Sequence, residues 1–149
     1  MCRWLIGSGF SGFKFDTSFS LCFSRESEAL YNGSPLPWVM DVHLLGDWWL
    51  GCRNEWLEKV EELGVGIEPD EPVKAFELAK LRWLDGARID DVSVQDGVLI
   101  IAFENKTILS VDLISDDEYA VMLKEFGVDE SGAFWSVTCE GDNFYYRFK

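Results

Sequence analysis

Apolar and polar residues alternate in two segments of the chain, residues 13–21 and 92–100. A period of two is typical of strands that bury one face. In the second segment Asp96-Gly97 interrupts the alternation, and this pair favours a two-residue hairpin because glycine accepts the positive φ that the turn requires. The pattern therefore predicts an antiparallel hairpin at each segment.

The second half of the chain continues this strand pattern. Polar turns at 104–106 and 140–142 each separate two apolar segments that are short enough to be strands. Successive strands joined by short turns form an antiparallel meander. The strands predicted here are 87–94, 98–103, 107–113, 133–139 and 143–148.

Between the meander and the closing strands, the pattern predicts a helix. Ser115 is a suitable N-cap, and the acidic residues 116–118 follow it in the first turn, where carboxylates interact with the positive end of the helix dipole. Apolar residues then recur at the i, i+3, i+4 and i+7 positions of one helical face. These residues are Tyr119, Met122, Leu123 and Phe126.

The first half of the chain is less regular. Residues 25–37 have the composition of a loop, 38–45 of a strand, and a turn then leads into residues 48–50. Asn54 is a candidate cap for a helix at 55–63, and Pro72 suits the first turn of a second helix that ends near Leu81. The apolar face predicted for the first helix consists of Trp56, Leu57, Val60 and Leu63.

The sequence contains an internal repeat of five residues. Arg3-Trp4-Leu5-Ile6-Gly7 recurs at four of its five positions, with an offset of 79, as Arg82-Trp83-Leu84-Asp85-Gly86. Two related β-rich halves are one interpretation, and chance similarity of two short segments is the other. We predict a single α+β domain over 1–149, with antiparallel β-meanders in two loosely repeated halves and two to three covering helices. The predicted parts are a first β-rich half at 1–53, a helical connector at 54–81 and a second β-rich half at 82–149.

No targeting or membrane segment is recognisable in the sequence. The apolar start of the chain is interrupted by glycine and serine, unlike the apolar region of a signal peptide. No stretch approaches the roughly 18 to 20 apolar residues of a membrane span. Cys2, Cys22, Cys52 and Cys139 are scattered, which favours buried reduced thiols. We therefore expect a cytoplasmic protein that does not bind membranes.

Charge is the unusual feature of the composition. The chain carries 27 acidic and 13 basic residues, a formal net charge of −14 at pH 7. Residues 1–53 hold 5 acids and 4 bases, whereas residues 54–149 hold 22 acids and 9 bases. Such a protein repels nucleic-acid phosphates and attracts basic proteins. Nucleic acid is therefore excluded as the expected partner, and a basic protein is favoured.

Residues for catalysis or metal binding are few. His43 is the only histidine, and it lies in an alternating segment that is typical of a half-buried strand. Asp90 and Asp91 are adjacent, so on a regular strand they would point to opposite faces and could not act on one substrate atom. The spacing of histidine, cysteine and carboxylates matches no metal site. We expect no catalytic residues, no metal and no cofactor.

Trp48 and Trp49 are adjacent, so on a strand they must point to opposite faces. Tryptophan is favoured at the centre of protein interfaces. A small protein with several sheet faces and covering helices also buries most of its aromatic residues. These two residues are therefore candidates for partner binding, with burial in the core as the alternative.

Residues 82–148 resemble a group of small bacterial domains of unknown function. The resemblance depends on Leu84-Asp85-Gly86, the hairpin around residues 99–106, Glu118-Tyr119 and Cys139-Glu140-Gly141, although only one glycine of the expected terminal pair is present. Small acidic proteins of this kind include immunity proteins of polymorphic toxin systems, among them contact-dependent growth inhibition. The resemblance implies a cytoplasmic protein that binds and neutralises a cognate toxin domain, commonly a basic nuclease.

An acidic surface could compete with phosphate for the lysine and arginine residues of such a toxin. The carboxylates that we expect to contribute to this surface all lie in the second half of the chain. The predicted partner-binding residues are Asp85, Asp90, Asp91, Asp112, Asp116, Asp117 and Glu118, together with Trp48 and Trp49.

Two other functions are considered. The first is a non-enzymatic β module that binds a ligand or a protein, in which an exposed Trp48 or Trp49 would line a groove. The second is a hydrolase that uses paired carboxylates, which would require two acids and His43 around one pocket.

Overall fold

The structure is a computed structural model that describes residues 2–15, 19–31, 33–63, 79–114, 119–125, 135–140 and 143–148. In these residues strands predominate and helices are few. The strands form a six-stranded sheet, a four-stranded sheet and a two-stranded ladder, and all of their pairings are antiparallel. The prediction of antiparallel sheets is thereby confirmed.

The strands follow one another in the chain with short helical segments at three places. The strands are β1 (Gly9–Phe15), β2 (Phe19–Ser24), β3 (Leu30–Tyr31), β4 (Ser34–Pro35), β5 (Val39–Leu44), β6 (Trp48–Leu50), β7 (Ile89–Gln95), β8 (Val98–Phe103), β9 (Ile108–Asp112), β10 (Val121–Glu125), β11 (Trp135–Glu140) and β12 (Asn143–Phe148). The helices are α1 (Cys2–Leu5) and α2 (Arg53–Leu63), and the helical residues 79–81 continue into a 3-10 turn (Arg82–Leu84).

The six-stranded sheet has the order β1-β2-β5-β10-β11-β12. Its core-facing row places Leu21 opposite Val42, Val42 opposite Leu123, and Leu123 opposite Val137. These four side chains are at most 1% exposed. Side chains alternate between the two faces along each strand, so one inward position from each of four neighbouring strands forms this buried apolar row.

The four-stranded sheet has the order β6-β9-β8-β7 and contains the predicted meander. Its apolar face packs towards the six-stranded sheet, where the rings of Phe23 and Phe103 are stacked with centroids 6.4 Å apart. The buried apolar residues of both sheets belong to one cluster. Backbone hydrogen bonds also join the sheets, because Phe10 N donates to Ala87 O and Ile89 N donates to Ser8 O, each at 2.9 Å.

The two sheets do not follow the two predicted halves of the sequence. The six-stranded sheet combines β1, β2 and β5 with β10, β11 and β12, whereas β6 from the first half pairs with β9. Alternation shows which residues share a face but not which strands become neighbours. The repeat of two halves stays a prediction.

The helix predicted after Ser115 is wrong where the structure describes it. Residues 121–125 form β10, a central strand, rather than a helix containing Met122 and Leu123. Leu123 faces the core at 0% exposure, and Met122 on the opposite face of the sheet is also buried, at 2%. A strand buried on both faces has an apolar run that is compatible with either a helix or a strand. Ser115, residues 116–118 and Phe126 lie outside the described residues.

The described residues before 64 differ from the predicted elements at three places. Helix α1 (Cys2–Leu5) was not predicted. The predicted loop at 25–37 contains the short β3–β4 ladder. Helix α2 begins at Arg53, so Asn54 is inside the helix and is not its N-cap. Its predicted apolar face is correct for Trp56, which is 6% exposed, but wrong for Leu57, which is 53% exposed. Of the second predicted helix, the structure describes only residues 79–81, which are helical.

A close approach of backbone occurs where the chain passes from one sheet to the other. Gly46 lies between β5 and β6, and its N–H donates to Ala120 O at 3.1 Å. A Cβ at this position would collide with the carbonyl oxygen of Asp112. Only glycine fits here without a shift of the backbone.

No helix among the described residues is long and apolar enough to cross a membrane.

Candidate functional site

An acidic surface lies at the β7 edge of the four-stranded sheet. The pairing of β7 with β8 shifts register between Ile89 and Asp91, which is a β-bulge at Asp90. Ile89 and Val92 are both buried, so the bulge leaves Asp90 and Asp91 both exposed. The expectation that these two carboxylates point to opposite faces is wrong, because it assumed regular alternation and a bulge adds one residue to it.

Two further carboxylates lie at the same end of β7. Asp85 is exposed and ends the 3-10 turn that precedes the strand. Glu104 is exposed and follows the paired strand β8, with its N–H donating to Arg88 O at 2.9 Å. We call Asp85, Asp90, Asp91 and Glu104 the acidic edge. Arg88 lies between Asp85 and Asp90 in the sequence, and its guanidinium is ion-paired with Glu26.

Asp112 does not belong to the acidic edge. It ends β9, which lies between β6 and β8 inside the four-stranded sheet. Its Oδ2 is 3.7 Å from Nη1 of Arg53, and its Oδ1 accepts a hydrogen bond of 3.0 Å from Ile114 N. Asp112 therefore interacts within the protein. The other predicted carboxylates, Asp116, Asp117 and Glu118, lie outside the described residues.

Trp48 and Trp49 also make their contacts within the protein. The ring of Trp48 is half-buried and lies 5.5 Å from the ring of Phe19, in a stacked arrangement, and 5.5 Å from that of Trp56. Trp49 is 8% exposed, with the guanidinium of Arg53 4.7 Å from its ring centroid. These positions favour burial in the core over partner binding. Neither tryptophan lines the groove between α2, residues 79–84 and the start of β9.

A groove of about 580 Å³ lies between α2, the helical residues 79–84 and the start of β9. The sequence did not predict it. Trp56 and Trp83 contribute to its walls, and so does Ile108. The charged residues that line it in the described part of the chain are Lys59, Lys80, Lys106 and Glu55.

The chemistry of this groove depends on residues far apart in the sequence. Trp83 is 71% exposed, and the ammonium of Lys80 lies 4.0 Å from the centroid of its ring, which is a cation–π contact. The only sequence signal for Trp83 was its place in the repeated pentapeptide. Cys52 also lines the groove and is exposed, so the expectation that it is a buried thiol is wrong.

A cluster of polar residues lies on the face of the six-stranded sheet opposite the apolar row. Ser20 Oγ and His43 Nδ1 share a hydrogen bond of 2.9 Å, and Asp41 Oδ2 is 2.6 Å from Lys14 Nζ. Ser20 and Asp41 are 0% exposed, and His43 is 9% exposed. His43 is thus a buried strand histidine, close to the half-buried position predicted for it.

Cys22 is the remaining member of this cluster. Its thiol donates to Asp41 Oδ1 at 3.4 Å. Burial, and next the charge of Asp41, raise the pKa of Cys22 from 9.0 to about 11. The thiol is therefore protonated at neutral pH and a poor nucleophile. The serine and the carboxylate of this cluster are fully buried, and its hydrogen bonds join side chains of the neighbouring strands β2 and β5.

No three histidine, cysteine or acidic side chains of the described ranges are grouped so that they could hold a metal ion. Comparison of the chain with protein-family models, curated proteins and solved structures finds no match. The resemblance to immunity proteins therefore stays a prediction.

Proposed function

We propose that this chain is an immunity protein that binds and neutralises a cognate basic toxin domain in the cytoplasm through the acidic edge. The observation that carries the proposal is the bulge in β7, which exposes Asp90 and Asp91 together beside Asp85 and Glu104. Adjacent carboxylates on one edge give a concentrated negative potential, and the net charge of −14 extends it beyond contact distance.

A surface of this kind recognises lysine and arginine residues that would otherwise bind phosphate. Charge-assisted hydrogen bonds from arginine to carboxylate are short and strong, and several on one surface occupy a basic substrate channel. The rigid sheet behind β7 holds the carboxylates in place, because Ile89 and Val92 on either side of them are buried in the core. Such a mode of action requires no reacting group.

The test uses the full chain and the product of the reading frame next to its gene, combined by co-expression and pull-down. Association is then measured for the triple variant Asp85→Lys, Asp90→Lys, Asp91→Lys. The matched control, Asp47→Lys, Glu58→Lys, Glu61→Lys, makes the same change of net charge at exposed residues just before β6, which is the opposite edge of the four-stranded sheet, and on α2.

The edge variant should associate about ten times more slowly at low salt, with a weaker dependence on salt, because electrostatic steering depends on the local field. The association rate of the control variant should fall much less. Equal losses in the two variants would show that overall charge, not the acidic edge, governs association. If the chain forms no complex with the product of the neighbouring reading frame, the proposed function itself is contradicted.

The alternative is a non-enzymatic module that binds a ligand, and a different observation favours it. The groove has the volume of small-molecule sites, which usually span about 300 to 1,000 Å³. Thermal stabilisation by a small molecule, in the absence of any protein partner, would support this function.

A further inference from the structure

We propose that the groove between α2, residues 79–84 and the start of β9 binds a small aromatic anion, a planar ring that carries a carboxylate or sulfonate. This proposal goes beyond the toxin-binding function and does not rest on the acidic edge. It depends on a local reversal of charge in an acidic protein.

The reversal is visible in the residues that line the groove. Each of three walls contributes one lysine: Lys59 from α2, Lys80 from the helical residues before the 3-10 turn, and Lys106 from the turn between β8 and β9. The acid among the described lining residues is Glu55. The described lining residues therefore carry three positive charges and one negative charge, whereas the whole chain has a net charge of −14.

The lysines are held by the fold rather than grouped by sequence. Lys106 has a φ of 69° in its turn, and its N–H donates to Phe103 O at 2.9 Å. Asn105 Nδ2 donates to Trp83 O at 3.4 Å, which ties this turn to the 3-10 turn. Lys59 is 3.9 Å from Glu62, but both side chains are more than half exposed, so this pair is weak.

The aromatic part of the ligand is inferred from the apolar walls. Trp83 is 71% exposed and Ile108 is 41% exposed, an unusual amount of apolar surface for residues beside one groove. Trp56 forms the buried side, where it packs against Trp48. A planar ring can pack against these side chains while its anionic group reaches the ammonium of Lys80 beside the indole.

The size of the groove favours a small molecule over a protein segment. Its volume of about 580 Å³ is within the range of small-ligand sites and much larger than a single inorganic anion needs. An inorganic anion would also leave the apolar walls in contact with water. An aromatic carboxylate uses both the lysines and the apolar surface.

The test is a calorimetric titration of the full chain with 2-naphthoate and with 2-naphthylmethanol, which has the same ring but no charge. We expect 2-naphthoate to bind at least about tenfold more tightly, with an affinity that falls as salt increases. Equal affinities would overturn the proposal, because the lysines would then contribute nothing.

Three variants locate the site. Lys80→Gln with Lys106→Gln should reduce the difference between the two probes to about twofold or less. Arg82→Gln removes one positive charge, as each lysine change does by itself, from an exposed residue beside Trp83 that does not line the groove, and it should change neither affinity. Trp83→Ala should weaken both probes by roughly tenfold. An equal effect of Arg82→Gln and the lysine changes would overturn the proposal.

An independent measurement uses Cys52, which is exposed in the groove. Saturating 2-naphthoate should slow alkylation of Cys52 by iodoacetamide at least about threefold, because a bound molecule covers the thiol. Peptide mass spectrometry measures the rate of alkylation. Unchanged alkylation at saturation would place binding elsewhere and overturn the proposal. Displacement of 2-naphthoate by a hexaglutamate peptide at lower concentration would overturn it in favour of an acidic protein partner.

Discussion

Lys14 and Asp41 form an ion pair in which the two partners differ greatly in exposure. Lys14 Nζ lies 2.6 Å from Asp41 Oδ2, and the side chain of Lys14 is 30% exposed whereas that of Asp41 is 0% exposed. Removing one partner of a buried pair is costly mainly because the other charge stays buried. The cost must therefore depend on which partner is removed.

We predict that Lys14→Met lowers the free energy of unfolding by about 3 kcal/mol, because it leaves a fully buried carboxylate without its cation. Asp41→Asn should cost only about 1 kcal/mol, since Lys14 can turn towards water. Urea unfolding measures both. Lys124→Met is the matched control. Lys124 in β10 lies directly opposite Asp41 in β5 in the strand register, but among the described residues the ion pair of Asp41 is with Lys14. A larger loss for Asp41→Asn than for Lys14→Met would contradict this account.

The raised pKa of Cys22 predicts a loss of stability at high pH. Because its pKa in the folded protein, about 11, is above its ordinary value of 9.0, the protonated thiol favours the folded state. This contribution is complete below pH 9.0 and is lost as the pH rises towards about 11. The stability difference between the native protein and Cys22→Ala should therefore shrink over this range.

Gly46 should not tolerate a side chain. In Gly46→Ala the new Cβ would collide with the carbonyl oxygen of Asp112, so the backbone between the sheets must shift, at a cost of about 2 kcal/mol. At Gly9, by contrast, a Cβ would be 3.5 Å from its nearest neighbour, Gly86 O, which is an ordinary contact. In thermal unfolding, the melting temperature of Gly46→Ala should be several degrees below that of Gly9→Ala. Equal melting temperatures would disprove the close approach.

The contact between the sheets should account for much of the stability. Phe103 is 1% exposed and stacks on Phe23 across the core, so Phe103→Ala removes a large apolar side chain and leaves a cavity. We expect a loss of about 4 kcal/mol in the free energy of unfolding. Ile114→Ala, at a side chain that is 76% exposed, should cost less than about 0.5 kcal/mol. Urea unfolding measures both variants. If their m-values are unchanged, the difference in their free energies of unfolding comes from packing in the folded protein rather than from a changed unfolded state.

The candidate site shows where prediction from the sequence reaches its limit. The excess of acidic residues is a property of the composition, and Asp85, Asp90 and Asp91 are all exposed as an acidic binding surface requires. The bulge that exposes Asp90 and Asp91 together depends on how β7 pairs with β8, which no local pattern encodes. Asp112 was included from charge alone, and its contact with Arg53 depends on the position of α2.

The sequence by itself determined where most strands and hairpins lie, because alternation and turn residues act over a few neighbouring positions. Tertiary structure decided that 121–125 is a strand, since a segment buried on both faces has the same apolar run in either conformation. It also decided which strands became neighbours and brought Lys59, Lys80 and Lys106 around one groove. The reason is that contacts between distant segments depend on the packing of the whole core, whereas periodicity specifies only which side of each segment is buried.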